Sequence, residues 1–326
     1  MTKLKNSNCN KKGAPVYKYT DQLFDGTFRV FTEENGCGIL RADGSIMIPP
    51  KYSYVREFSE GYAVAITKDN IPVILDKNGK EITFKCWHGG ANYSAIGRCA
   101  DGLIRVSEID HADDQKAFDR LSEYMDEDCI DEFCWTLGNW GYLNTRGEEV
   151  IQPQYEVASD FFNGVAVVGN RKKIDGSGGC GIIDTSGREI VPLKFKEIYF
   201  FWDWDLDGSN SNQFFRARGG DYKEGFWGVI DREGNYLEEP YFLDIDPHIT
   251  KDGCFTFEAG SAWHKDILTP RGIYSTSERR TLFSAQFEDV EFLGEGLIEV
   301  RGYDDNGEKI VKKVIDYEGN EVTKGK

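Results

Sequence analysis

One short phrase recurs along the chain: Trp or Cys, then Gly, then two apolar residues, a polar stretch and a closing Gly. It reads Cys37-Gly38-Ile39-Leu40 closing at Gly44, and Trp140-Gly141-Tyr142-Leu143 closing at Gly147. It returns as Cys180-Gly181-Ile182-Ile183 closing at Gly187, and as Trp227-Gly228-Val229-Ile230 closing at Gly234. Degenerate copies are read as closing at Gly79, Gly272 and Gly319. Self-similarity at a fixed period means one supersecondary unit repeated, which excludes most single-core folds. The unit's chemistry is that of a β-hairpin: apolar residues lead into a polar turn that Gly closes where φ must be positive. Asp76, Asn144, Asp184, Asp231 and Asp316 share one slot before that Gly. A slot filled so often reads as turn chemistry, because Asp and Asn hydrogen-bond the local backbone.

A second strand follows the turn, and Pro50, Pro153, Pro192 and Pro240 are expected to end it, since Pro cannot donate to a ladder. Tyr52, Trp87, Tyr155, Phe195 and Phe242 each stand eight residues after the closing Gly. A further Gly then opens another strand, at Gly26, Gly61, Gly102, Gly164, Gly253 and Gly296. Its second and fourth following positions are apolar every time, while the position between varies widely (Arg29, Arg105, Thr256, Glu299). That alternation predicts strands with one strongly buried face.

The Trp-Gly phrases, the closing Gly, the Pro-x-aromatic segment and the Gly-opened strand together resemble the bacterial WG-repeat family, over roughly residues 19–322. Cys37 and Cys180 depart from the Trp, and the copies at Gly79, Gly272 and Gly319 lack the pair. The resemblance implies a β-rich repeat protein with binding roles and no catalytic residues to carry over.

The expectation is therefore an all-β repeat domain over 19–322, with 1–18 a flexible N-terminal segment. The chain starts in the second half of a unit and ends in the first half of one. Six fuller units plus two halves predict a seven-unit, propeller-like ring with a split closing blade; the alternative is an open β-solenoid, which needs polar caps.

Two insertions interrupt the pattern. The first, 108–134, holds 11 acidic residues against Lys116 and Arg120 between Glu108 and Glu132. Ala117, Phe118, Leu121, Tyr124 and Met125 fall at helical spacing, so an amphipathic helix is expected there. Its carboxylates, Asp126, Glu127 and Asp128 among them, either face water or meet a basic partner. The second runs Trp202-Asp203-Trp204-Asp205-Leu206-Asp207-Gly208. Asp203, Asp205 and Asp207 occupy positions 1, 3 and 5 of a calcium loop, but Phe214 stands where the bidentate Glu belongs. Any calcium site here is a weak one, set against a plain polar turn. Trp202 and Trp204 are candidate partner-binding residues, because aromatics dominate binding hot spots.

Charge narrows the partner. With 56 acidic and 39 basic residues the net charge is −17, the wrong sign for phosphate backbones or an anionic membrane. No apolar run is long enough to span a bilayer and no secretory signal is legible, so the eight Cys are expected as reduced thiols in a cytoplasm. The four His form no metal pattern, and neither a nucleophile elbow nor a P-loop occurs. The Asp244-x-Asp246-Pro247-His248 cluster falls in a loop. The reading is a non-catalytic protein-interaction module, in its specific form an immunity or inhibitor protein for a basic partner. The alternative is a small-ligand or glycan binder using Trp202, Trp204 and Trp263; an enzyme comes third.

Overall fold

The computed structural model describes residues 17–23, 25–32, 36–69, 71–83, 95–108, 139–170, 179–203, 214–219, 226–259, 270–303 and 309–322. Among them every regular element is a β-strand. The expected acidic helix, Asp126, Glu127 and Asp128 included, lies outside the described residues, as does nearly all of 1–18. The chain divides into two compact units, 1–161 and 162–326.

The first unit contains three antiparallel four-stranded meanders. One is β1 (Tyr17–Gln22), β2 (Phe28–Thr32), β3 (Cys37–Leu40) and β4 (Ile46–Tyr52). The next is β5 (Tyr54–Val55), β6 (Tyr62–Ile66), β7 (Pro72–Asp76) and β8 (Glu81–Ile82). The third is β9 (Ala95–Ala100), β10 (Leu103–Glu108), β11 (Asn139–Asn144) and β12 (Glu149–Tyr155), followed by the short β13 (Val157–Ala158).

In the second unit β14 (Val165–Asn170), β15 (Gly179–Asp184) and β16 (Glu189–Phe200) form a meander. The second half of β16 starts the next one. The short β17 (Trp202–Asp203) follows it, and the sheet continues with β18 (Phe214–Gly219), β19 (Trp227–Asp231) and β20 (Tyr236–Phe242). Then come β21 (Asp244–Ile245), β22 (His248–Ile249), β23 (Cys254–Glu258), β24 (Arg271–Ser275) and β25 (Arg280–Phe287). Of these, β21, β23, β24 and β25 form a sheet. Last come β26 (Asp289–Gly294), β27 (Leu297–Tyr303) and β28 (Lys309–Asp316).

Residues 19–31 and 312–322, expected to share one split blade, fall in different sheets among the described residues. The first sheet takes all four strands from residues 17–52, and β28 pairs with its neighbour β27. Local hairpins build each sheet, so the structural unit begins one half-repeat earlier than the phrase suggests, and among the described residues the last sheet, β26–β28, has three strands rather than four.

The core lies between meanders. Alternate residues of a strand point to opposite faces. On β6 and β7, Ala63, Ala65, Val73 and Leu75 pack with Cys37, Ile39, Ile48 and Tyr52 of the preceding meander. Val64 and Ile74 pack with Ile96, Ile104, Val106 and Leu143 of the following one. The second unit repeats this, with Phe255, Phe257 and Tyr274 facing Trp227 and Phe242, and Cys254 and Ile273 facing Ile298 and Ile315. Central strands are thus covered on both sides, which corrects the one-buried-face expectation: Val64, Arg105, Val167 and Thr256 in the variable slot are all buried.

The hairpin register explains the recurring Gly and corrects the role of Pro. Cys37 faces Tyr52, but Ile39 faces Ile48, so the outer strand carries extra residues at Pro49 and Pro50. The same slip recurs at Trp140–Tyr155, Cys180–Phe195, Trp227–Phe242 and Arg271–Phe287. Pro therefore sits inside a bulge within the strand, where a missing N–H breaks no ladder bond. The bulge pushes backbone toward the facing Gly. A Cβ on Gly38 would stand 2.5 Å from the Ile48 carbonyl oxygen, and one on Gly228 2.9 Å from that of Glu238. Gly141 and Gly181 are tighter still against Ile151 and Val191. Gly272 shares this register position, although a Cβ there would meet the Phe257 ring rather than the bulge backbone. It lies within β24 as the second residue of Arg271-Gly272-Ile273-Tyr274, a fifth copy of the phrase, and does not close a turn.

Candidate interaction site

The turns account for the recurrent carboxylates. Asp76 Oδ1 accepts from the N–H groups of Asn78 and Lys80 at 2.8 and 2.9 Å. Asp184 does so from Ser186 and Arg188 at 3.0 and 3.1 Å, and Asp316 from Glu318 and Asn320 at 3.0 and 2.8 Å. Asn144 and Asp231 repeat the arrangement. Hydrogen bonds from Ser186 and Arg188 hold the Asp184 carboxyl down at about 2, and similar bonds lower Asp76 and Asp316.

A less visible device sits on the inner strand that pairs with the phrase. Arg29, Arg105 and Arg216 stand opposite Ile39, Tyr142 and Val229, the same phrase position each time. They recur in alternate meanders and reach toward the next meander's first strand. Arg29 stacks over Tyr54 at 4.6 Å. Arg105 stacks over Trp140 at 4.7 Å, donates to the Ala158 carbonyl and lies 3.3 Å from Asp160. Arg216 lies over Tyr199, Phe201 and Trp227 at 5.5–5.9 Å and donates to the Ile245 carbonyl at 3.1 Å. A guanidinium suits this place because it stacks and donates at once. The sequence signal is faint. Arg29 and Arg105 stand three residues after Gly26 and Gly102, but Val, Thr and Glu fill that slot elsewhere and no Gly precedes Arg216 at that spacing.

Above Arg216 the chain leaves the sheet toward the Asp-rich segment. Phe201 is buried against Phe255, ring centroids 5.1 Å apart. Trp202 and Asp203 then pair in parallel with His248 and Ile249, which roots the segment on the next meander. The facing turn is closed by its own hydrogen bonds. His248 contributes its N–H and its Nδ1 to Asp246 Oδ1, both at 2.9 Å, and the Asp246 N–H donates to the Thr256 carbonyl at 3.0 Å. The Asp244–His248 cluster, expected in a loop, falls instead on the short strands β21 and β22 and the turn between them, and β22 pairs with Trp202 and Asp203. Trp202 and Asp203 are placed here by their backbone; Trp204, Asp205 and Asp207 lie outside the described residues. Among the described residues no group of three His, Cys, Asp or Glu could hold a metal.

The described thiols are poor nucleophiles. Burial pushes Cys99 and Cys180 up to about 12 and Cys254 to about 11, and raises Cys37 as well. Among the described residues no helix is long and apolar enough to cross a membrane.

A family model described as WG containing repeat matches residues 38–70, 140–173 and 181–203. No curated protein matches the chain. Among solved structures it is similar to the computationally designed Ika8 protein, at 11% identity and a TM-score of 0.39, over 94% of this chain and 85% of that one. It is also similar to the WD40 beta propeller domain of Doa1, at 11% identity and a TM-score of 0.30, over 84% and 85%.

Proposed function

We propose that the chain, three segments of which match a WG-repeat family model, is a non-catalytic protein-interaction module whose partner is a basic protein. The observation that carries this is the use of the recurrent polar residues. The slot carboxylates are bonded within their own turns, and the clamping arginines, Arg105 buried and Arg216 partly buried, join neighbouring meanders. Function is thereby assigned to what does not recur: the Trp202 segment and the acidic insertion around Asp126, Glu127 and Asp128. A net charge of −17 favours fast, salt-sensitive association with a basic surface. An immunity or inhibitor role toward a basic toxin in the cytoplasm is the specific form of this reading. Affinity purification from native lysate, repeated at high salt, tests it. A basic protein captured at low salt and released by salt is expected; no partner, or one indifferent to salt, counts against it.

In this reading the seven meanders close into a seven-unit ring, with an open β-solenoid as the competitor. Small-angle scattering separates them. A profile with the dip of a compact disc supports the ring, and a rod-like cross-section overturns it.

A further inference from the structure

We propose that a ledge formed by Tyr241 and Glu238 of β20 with Thr281 of the β24–β25 hairpin, backed by the buried Tyr274, binds a neutral carbohydrate. Tyr241 is one of the few large apolar side chains left exposed, at 39%. Its ring is nonetheless fixed. It packs on Phe242 with centroids 4.0 Å apart at 37°, and meets Phe257 edge-on at 6.0 Å. Its hydroxyl lies 3.1 Å from Thr281 Oγ1. A ring held this way offers an apolar face with a polar rim at little cost in side-chain entropy, which suits the alternating C–H and O–H surface of a sugar ring.

The polar half of the ledge is made by Glu238, three residues earlier on the same strand. It is half-buried, and burial raises its carboxyl. Tyr274 supports it from the neighbouring meander. That side chain is fully buried, and its hydroxyl completes no hydrogen bond of normal geometry, although the Glu238 carboxyl lies within its electrostatic reach. Buried polar groups are nearly always satisfied, and an exception asks for an explanation. Here the Tyr274 hydroxyl lies beside the Glu238 carboxyl without holding it by a hydrogen bond, so that carboxyl is left to accept from ligand hydroxyls. Glu239 on the same strand adds negative charge. The ledge therefore repels anions, while a neutral polyol supplies the donors that a carboxylate lacks.

The test is a glycan array probed with the full chain and with Tyr241→Ala, Tyr241→Phe and Glu238→Gln, each first shown by circular dichroism to be folded. Neutral glycans are expected to bind. Tyr241→Ala should weaken them about tenfold, the value of one aromatic stacking contact, while Tyr241→Phe keeps most of the affinity. Glu238→Gln should weaken them too, because it halves the acceptor capacity facing the ligand. Absence of any neutral glycan signal, binding confined to cationic ligands, or binding indifferent to Tyr241→Ala overturns the proposal. A protein partner is scored separately by the salt-dependent capture, so either result stands without the other.

Discussion

Two kinds of glycine in this chain fail for different reasons when a methyl group is added. Gly44 has φ of +82° and open space where a Cβ would stand, with nothing within 4 Å. Gly44→Ala therefore meets only the left-handed backbone penalty of about 1–2 kcal/mol. Gly141 lies in a buried strand against the bulge at Pro153, where the Cβ meets backbone that cannot rotate away. Gly141→Ala should cost about 3 kcal/mol, clearly more than Gly44→Ala, when both are measured by urea denaturation. Asp184 gives a second residue-scale expectation. Its carboxyl is lowered in the folded state, so its contribution is complete above the ordinary carboxylate pKa of about 4. It is lost as pH falls toward about 2. Asn144 shows that an amide oxygen accepts the same two N–H groups. Asp184→Asn should therefore hold its stability at neutral pH and lose less of it in acid. Asp184→Ala should be weaker at every pH, as followed by thermal melts between pH 2 and 7.

At the scale of elements the hairpin is a composite of turn, bulge and clamp, and these are unequally visible in the sequence. The turn is legible, because the Asp slot and the closing Gly are local and repeat at fixed spacing. The bulge is not. Pro50, Pro153, Pro192 and Pro240 read as strand ends, since a lone sequence cannot show that the partner strand gives up a pairing opposite them. Gly272 reads as a turn residue for the same reason: it lacks the preceding Trp, and only register places it opposite a bulge. The arginine clamps are hidden because their partners lie in another meander. Arg105 is 9% exposed at its side chain beside Asp160, and removing it leaves that carboxylate only the longer contact to the exposed Arg98 at 3.6 Å. Arg105→Met should destabilise by about 3 kcal/mol. Adding Asp160→Asn should recover part of that loss, a coupling that a double-mutant cycle in urea measures. Of the candidate site, the anchoring of Trp202 beside His248 is foreshadowed only by two unconnected loop motifs.

Across the whole molecule, stability is expected to be a sum of neighbour terms. Each meander buries one face against the one before and the other against the one after, within each unit. In such chains a defect is felt locally. Gly272→Ala drives a methyl group into the Phe257 ring. Hydrogen exchange should then show lost protection in β23–β25 and in the adjoining β26–β28, with β1–β4 unchanged. Uniform loss across the chain would mean a single cooperative core instead.

The strands β10 and β11 hold full register from Leu103–Asn144 to Glu108–Asn139 although thirty residues, 109–138, separate them. Their counterparts β6 and β7 hold an equally unbroken register across 67–71. Lengthening a connection sixfold costs only about 1.5 kcal/mol of closure entropy, since each doubling adds about 0.6. This junction is therefore where such a chain can acquire new sequence at little thermodynamic penalty. Variation among chains of this design should accumulate there, and a foreign peptide grafted there should be displayed without altering the scaffold that carries it.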